Sequence, residues 1–201
     1  MPLDTTELKR VLESLLFVSD VPLKAERLAE VTGQDKKAVR EALEMIGDDL
    51  DSPDRGVRLQ EVADGFQLRT PAESAEWIRL LHNTRPFRFS QAALESLAII
   101  AYRQPITRAE IDYLRGVDSG GVVKTLLDKK LIRILGKKDV PGKPLIYGTS
   151  KEFLEVFGLR DLSALPTLKE FSDLALEDEE AALDQQDLGF GESSEESEAS
   201  E

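Results

Sequence analysis

Residues 104–116 read QPITRAEIDYLRG, and residues 21–33 read VPLKAERLAEVTG. An offset of 83 pairs Pro22 with Pro105, Leu23 with Ile106, Leu28 with Ile111, Val31 with Leu114 and Gly33 with Gly116. The same offset pairs Asp35 with Asp118, Val39 with Val122 and Leu43 with Leu126, so one register spans several elements. A period this long exceeds the roughly 20–50 residues of stacked solenoid repeats and points to duplication of a domain-sized unit.

The first copy opens with Leu8, Val11, Leu12, Leu15 and Leu16 at helical spacing, a pattern that stops before Pro22. Proline there removes a backbone donor and clashes with the preceding turn. Leu23, Leu28 and Val31 place a short second helix before Gly33, a left-handed stop. Asp35 can cap a third helix with a buried stripe of Ala38, Val39, Ala42, Leu43 and Ile46. The period then becomes two, with Val57 and Leu59, then Phe66 and Leu68, around a turn containing Gly65. Three helices followed by a hairpin is the order of a winged helix. A further amphipathic helix is expected with Thr70 as cap, Pro71 at the first helical position and Trp77, Ile78, Leu80 and Leu81 inside. Arg85-Pro86 marks the junction.

In the second copy, Ser90 can cap a helix bearing Leu94, Leu97, Ala98 and Ala101. Thr107 and Glu110 form a capping box at the next helix, each side chain serving a backbone donor near the other. Ser119 or Asp118 can cap the third, with Val122, Val123, Leu126 and Leu127 inward. Leu131 to Leu135 and Leu145 to Tyr147 flank a polar turn from Gly136 to Pro144, a second wing. Thr149 and Glu152 suggest another capping box on a helix that buries Phe153, Leu154 and Phe157 and ends at Gly158. Leu159, Leu162, Leu165 and Leu168 follow, and periodicity leaves open whether they wrap the module or await another chain. The expected architecture is therefore mainly α with small β-hairpins (α+β). It comprises tandem winged-helix domains over residues 1–85 and 86–172 and an acidic tail over 173–201.

The formal net charge of -13 is distributed unevenly. Of the 39 acidic residues, twelve lie from Asp173 onward without a Lys or Arg, leaving 27 against 26 basic residues in the body. That tail is too polar to offset its ordering entropy and reads as disordered. Absence of cysteine removes disulfide frameworks and thiolate chemistry, fits a reducing cytoplasm, and accompanies the lack of any apolar run of membrane-spanning length.

Catalytic constellations fail one by one. In Gly120-Gly121-Val122-Val123-Lys124-Thr125, Val123 stands where a phosphate loop needs the glycine before its lysine, and the glycine pair reads instead as allowing close helix approach. Ser119 has no glycine two residues earlier, as a nucleophile elbow requires. The sole histidine, His82, has no second histidine for a metal site, and Asp48-Asp49 sits where a helix runs into a loop. No enzyme activity, cofactor or metal is expected.

Winged helices often lay their third helix in the major groove of DNA. In the first copy Asp35, Glu41, Glu44, Asp48 and Asp49 outweigh Lys36, Lys37 and Arg40 there. In the second copy Lys124, Lys129, Lys130, Arg133, Lys137, Lys138 and Lys143 form a basic patch. Three roles fit it: solvation of an exposed hairpin, weak DNA contact, or an acidic protein partner. A DNA-binding transcriptional regulator is the alternative to a protein adaptor.

The runs Tyr102 to Ile111 and Arg115 to Ser119, with the wing Gly136 to Thr149, closely resemble segregation and condensation protein B. The match continues through Phe153–Gly158 and on to Pro166, while the first copy agrees mainly in hydrophobic pattern and its Pro22-Leu23 turn. The resemblance implies a cytoplasmic, nucleoid-associated homodimer, the non-catalytic accessory subunit of the bacterial chromosome-condensing complex. Its implied partner is the kleisin, segregation and condensation protein A, and through it the structural-maintenance-of-chromosomes ATPase. Within the matched motifs, Arg103, Arg115, Lys137, Lys138 and Tyr147 are the expected kleisin-contacting residues, the first copy serving dimerisation and the second partner capture.

Overall fold

The computed structural model describes residues 3–83 and 89–167. The Arg85-Pro86 junction, Leu168 and the acidic stretch from Asp173 lie outside the described residues. The chain is mainly helical with small antiparallel sheets, and both copies lie in one compact unit that ends at Ser163.

Helix α1 (Thr5–Val18) begins with a capping box between Asp4 and Glu7. It packs on α3 (Lys36–Leu50), whose N-terminus Asp35 caps by accepting from the Lys37 N–H at 3.0 Å. Between them α2 (Ala25–Thr32) ends on Gly33, which is left-handed at φ 66°. Leu8, Leu12, Leu16, Leu28, Val39, Leu43 and Ile46 form the core. Val31 departs from the expected stripe and is 52% exposed, because α2 is short and turns one face to Leu28's neighbours only.

Strands β1 (Arg58–Val62) and β2 (Gly65–Arg69) form the first hairpin, with Val62 opposite Gly65. The turn is therefore Ala63-Asp64, both left-handed (φ 51° and 59°), and Gly65 opens the second strand. Gly65 is required for another reason. A Cβ there would stand 3.0 Å from the Pro22 carbonyl carbon and 3.1 Å from that of Leu23, where Leu23 bridges Phe66.

A 3-10 turn (Ala72–Ser74), not Thr70, precedes α4 (Ala75–His82), and Pro71 lies just before that turn. No residue of α4 is buried, which corrects the inward placement of Trp77, Leu80 and Leu81. Its principal neighbour is its own preceding turn.

The second copy repeats the plan as α5 (Gln91–Arg103), β3 (Ile106–Thr107), α6 (Arg108–Arg115), α7 (Gly120–Asp128), β4 (Ile132–Lys137) and β5 (Leu145–Thr149). Strand β5 lies between β3 and β4. In α5 the buried face is Ala93, Ser96, Leu97, Ile100 and Ala101, whereas Leu94 and Ala98 point outward. Buried Ala93, Leu97 and Ala101 stand 85 residues after Leu8, Leu12 and Leu16. The 83-residue register thus slips by two in the first helix, since the link from α5 to α6 is two residues shorter than that from α1 to α2.

Two expected caps are made differently. Ser119 precedes α7, but its hydroxyl donates to Asp112 instead of capping the helix. Helix α8 (Lys151–Phe157) is capped by Ser150, which accepts from the Phe153 N–H at 3.1 Å, because Thr149 is held in β5. Nor does the glycine pair bring helices together. A Cβ on Gly120 would meet the Arg108 guanidinium at 3.2 Å, and Gly121 faces open space.

The run after α8 joins the two copies. The Ala63 N–H donates to the Leu159 carbonyl at 2.9 Å, and the Asp64 N–H to that of Arg160 at 2.8 Å. Gln60 donates to the Gly158 carbonyl at 3.2 Å and Arg69 to that of Glu155 at 2.7 Å. The first hairpin is thereby docked along the end of the second copy.

Candidate functional site

The second copy carries a groove of about 250 Å³ lined by Arg103, Pro105, Ile106, Glu110, Tyr113 and Leu114. Its geometry starts at the end of α5. There the Gln104 amide donates to the Ala101 carbonyl and to Thr149 Oγ1, each at 3.0 Å, and its oxygen accepts from the Thr149 N–H at 2.8 Å. These bonds fasten β5 to the end of α5 and set Arg103 on the groove's edge. On the opposite wall α6 begins with the expected capping box. Glu110 Oε2 accepts from the Thr107 N–H at 2.8 Å, while its Oε1 accepts from Lys138 Nζ at 2.6 Å.

Glu110 thus joins the groove, the helix cap and the wing. The Lys138 ammonium first, and the two Thr107 donors next, hold its carboxyl down to about 2. Asp112 on the same helix is also lowered, chiefly by the Ser119 hydroxyl and backbone N–H. Its carboxylate locks the loop between α6 and α7, where the Ser119 N–H reaches it at 2.7 Å.

The five residues singled out in the sequence fall into two groups. Arg103, Lys137 and Lys138 are exposed, Arg103 in the groove and Lys138 beside it through Glu110. Arg115 and Tyr147 face inward. The Arg115 side chain is 10% exposed and donates to the Ala92 carbonyl at 3.1 Å, Ser96 Oγ at 3.0 Å and Glu95 at 2.8 Å, tying α6 to α5. Tyr147 is 7% exposed in β5, opposite Ile106 and Ile134.

Tyr113, 85% exposed, was not among the residues read from the sequence. Its signal is an aromatic side chain off the Ile111 face, where the 83-residue register has Glu30 in the first copy.

Charge on the third helices is largely neutralised. Lys36 pairs with Glu26, and Lys37 lies 3.8 Å from Glu41. Helix α7 itself carries one basic residue, Lys124, against Asp128. Arg133 donates to the Thr149 carbonyl at 3.2 Å, so its fork is partly engaged at the strand. His82 is exposed at the end of α4, and no cluster of three or more metal-ligating side chains occurs among the described residues.

Two copies of three helices followed by a hairpin define a tandem winged-helix protein, whose second copy carries a groove lined by apolar side chains together with Arg103 and Glu110. The chain belongs to the family of the segregation and condensation complex subunit ScpB, whose model matches residues 10–168. It is 59% identical over 182 residues to segregation and condensation protein B of Syntrophotalea carbinolica, covering 90% of this chain and 92% of that one. The corresponding protein of Myxococcus xanthus is 48% identical, over 89% of this chain and 54% of the longer relative. Among solved structures, ScpB from Mycobacterium tuberculosis is 39% identical and covers 79% of this chain and 99% of that one, with a TM-score of 0.40. A dimer of the ScpB N-terminal domain complexed with ScpA peptide is 28% identical, covers 36% of this chain and 91% of that one, and has a TM-score of 0.35.

Proposed function

We propose that this chain is the non-catalytic accessory subunit of a bacterial chromosome-condensing complex, acting as a homodimer that binds the kleisin ScpA. Residues 1–85 serve dimerisation, and residues 86–172 capture the kleisin, which links the subunit to the structural-maintenance-of-chromosomes ATPase. The protein then works in the cytoplasm on the nucleoid. The observation that carries this reading is the 59% identity to a segregation and condensation protein B across 90% of the chain, covering both copies of the module.

The groove beside α6 suits a kleisin segment that presents apolar side chains to Pro105, Tyr113 and Leu114 and a carboxylate to Arg103. Lys137 and Lys138 extend that positive edge along the wing, while Arg115 and Tyr147 hold the helix and strand that shape it. Two linked copies of such a site raise affinity through effective concentration.

Copurification of the full chain with purified ScpA tests the reading. The expected result is a stable complex that Arg103→Glu weakens without changing the melting temperature. A regulator of transcription would instead show tight, sequence-selective DNA binding that falls steeply with salt and no retention of ScpA. The ion pairs on α3 and the single lysine within α7 favour the adaptor.

A further inference from the structure

The groove on the second copy holds two opposite charges, Arg103 and Glu110, among Pro105, Tyr113 and Leu114. Left bare, that pair would suit a segment carrying one charge of each sign. The wing changes the balance. Its tip is folded by the Lys138 N–H on the Pro144 carbonyl at 2.8 Å and the Lys143 N–H on that of Val140 at 2.9 Å. From there the Lys138 ammonium reaches Glu110 Oε1 at 2.6 Å. Arg103 has no such partner, since no ion pair among the described residues uses it. With its carboxyl held down to about 2, Glu110 keeps its charge at neutral pH, so cancelling it alters what the groove presents.

The same place in the first copy is built otherwise. The 83-residue register puts Arg27 at Glu110 and Glu30 at Tyr113, and those two side chains pair with each other at 3.0 Å. The first hairpin turns through Ala63 and Asp64, neither of which offers a cation to α2. The duplicated scaffold therefore folds without an ion pair between wing and second helix. That pair, and the exposed tyrosine beside it, belong to the second copy alone, which points to a role toward a partner.

We propose, on the strength of the kleisin reading, that Lys138 is a specificity-determining residue of this groove: it masks Glu110, leaves Arg103 as the uncompensated charge, and so selects a bound segment for carboxylates over cations. A Lys or Arg offered to Glu110 would have to displace an ammonium carried by the same chain, which competes at high effective concentration. A carboxylate offered to Arg103 meets no opposing charge. In a groove of about 250 Å³ a bared Glu110 lies close enough to such a carboxylate for salt to screen the repulsion only in part.

Rescue separates masking from direct contact and from tethering of the wing. Lys138→Met bares Glu110, and Glu110→Gln removes the charge while keeping a side chain that serves the Thr107 capping box. Affinity of the full chain for purified ScpA is measured by titration calorimetry at low and high salt. Lys138→Met should weaken binding about fivefold, the upper end for an exposed charge pair, and the loss should shrink at high salt. The combined Lys138→Met and Glu110→Gln variant should bind as the unmodified chain does, although it too lacks the ion pair. Glu110→Gln alone should bind at least as tightly.

A combined variant as weak as Lys138→Met rejects masking, because Lys138 would then touch ScpA itself or act only by holding the wing. Equal losses in Glu110→Gln and Lys138→Met reject it as well. Full affinity in Lys138→Met means that the partner does not feel Glu110, which overturns the proposal and leaves the kleisin reading standing. An unmodified chain that fails to bind ScpA overturns both.

Discussion

Strands β1 and β2 reverse in two residues, Ala63 and Asp64, and that turn is spent on the carbonyls of Leu159 and Arg160. Strands β4 and β5 are joined by the seven residues between Lys137 and Leu145, and this longer wing exposes Lys138, Val140 and Lys143. The two hairpins hold the same place in the duplicated plan. One is consumed in holding the chain together, and the other is left to meet something else. Duplication therefore preserved the scaffold while the wings diverged in what they touch. A docked wing also fixes the second copy against the first, so a partner gripped by one would meet a defined geometry in the other.

The strongest way to break the comparison is to remove matched core residues. Leu28 and Ile111 are 83 residues apart and 1% and 0% exposed. Leu28→Ala and Ile111→Ala should each lower stability by about 2–5 kcal/mol, measured by urea denaturation. If the docked hairpin couples the copies, either variant shifts one common transition. Separate transitions for the two copies would show that the backbone bonds at Ala63 and Asp64 do not carry that coupling.

A smaller effect is expected at a second matched pair, Gly65 and Gly148, again 83 apart. Each allows the hairpin's second strand to approach the link between the first two helices. A Cβ on Gly65 would meet Pro22 and Leu23 backbone, whereas one on Gly148 would meet the side-chain ends of Gln104 (2.7 Å) and Leu135 (2.8 Å). Backbone gives less readily than a side chain. Gly65→Ala should therefore cost about 1–3 kcal/mol and Gly148→Ala the lesser amount, by thermal denaturation of both variants. The reverse order would mean that the Gln104–Thr149 bonds are the stiffer constraint.

Much of this plan is legible from residue spacing, and the exceptions share a physical cause. Capping of α3 by Asp35, the Thr107–Glu110 box and the left-handed Gly33, Gly116 and Gly158 are local events, decided within a few residues. The three-helix-and-hairpin order follows from period alone. Periodicity marks an apolar face without saying what covers it, so Trp77, Leu80 and Leu81 read as inward, whereas no described residue buries them. In α5 the pattern is apolar nearly all round, so Leu94 and Ala98 looked as eligible as Ala93 and Ile100. The tie from Ala63 and Asp64 to Leu159 and Arg160 uses backbone groups, which leave no side-chain signature. At the candidate site, Arg103 and Lys138 announce themselves as charges in a matched motif. That Arg115 is spent on Ala92, Ser96 and Glu95 depends on a fold-back of some twenty residues that spacing does not reveal.

The docked wing can be loosened without touching the turn. Arg69 gives its guanidinium to the Glu155 carbonyl, and removing a charged donor from a part-buried carbonyl typically costs about 1.5–3 kcal/mol. Arg69→Ala should lower stability toward the small end of that range, because Glu155 is only half-buried. More tellingly, it should speed hydrogen exchange at the Ala63 and Asp64 amides while leaving the amides of β4 and β5 unchanged. Equal acceleration in both hairpins would mean general loosening, and the contrast between the wings would lose its basis.

The tip of the free wing is tied to α6 by the Lys138–Glu110 pair, with both side chains nearly half exposed. Exposed pairs contribute about 0.2–1 kcal/mol, so this is the smallest effect expected. Its pH signature is distinct. The Glu110 carboxyl titrates at about 2 in the folded chain against 4.5 for an unperturbed one, so the folded state favours the carboxylate. Its contribution is fully present above pH 4.5 and is lost as pH falls from 4.5 toward 2. Lys138→Met removes the largest cause of the depression but leaves the Thr107 donors, so the acid limb of the stability curve should flatten in part. Thr107→Ala in the Lys138→Met background should flatten it further and cost about 1 kcal/mol for the lost cap. No response to Lys138→Met below pH 4.5 would place the wing free of α6. The positive edge beside the groove would then lie wherever a partner drew it.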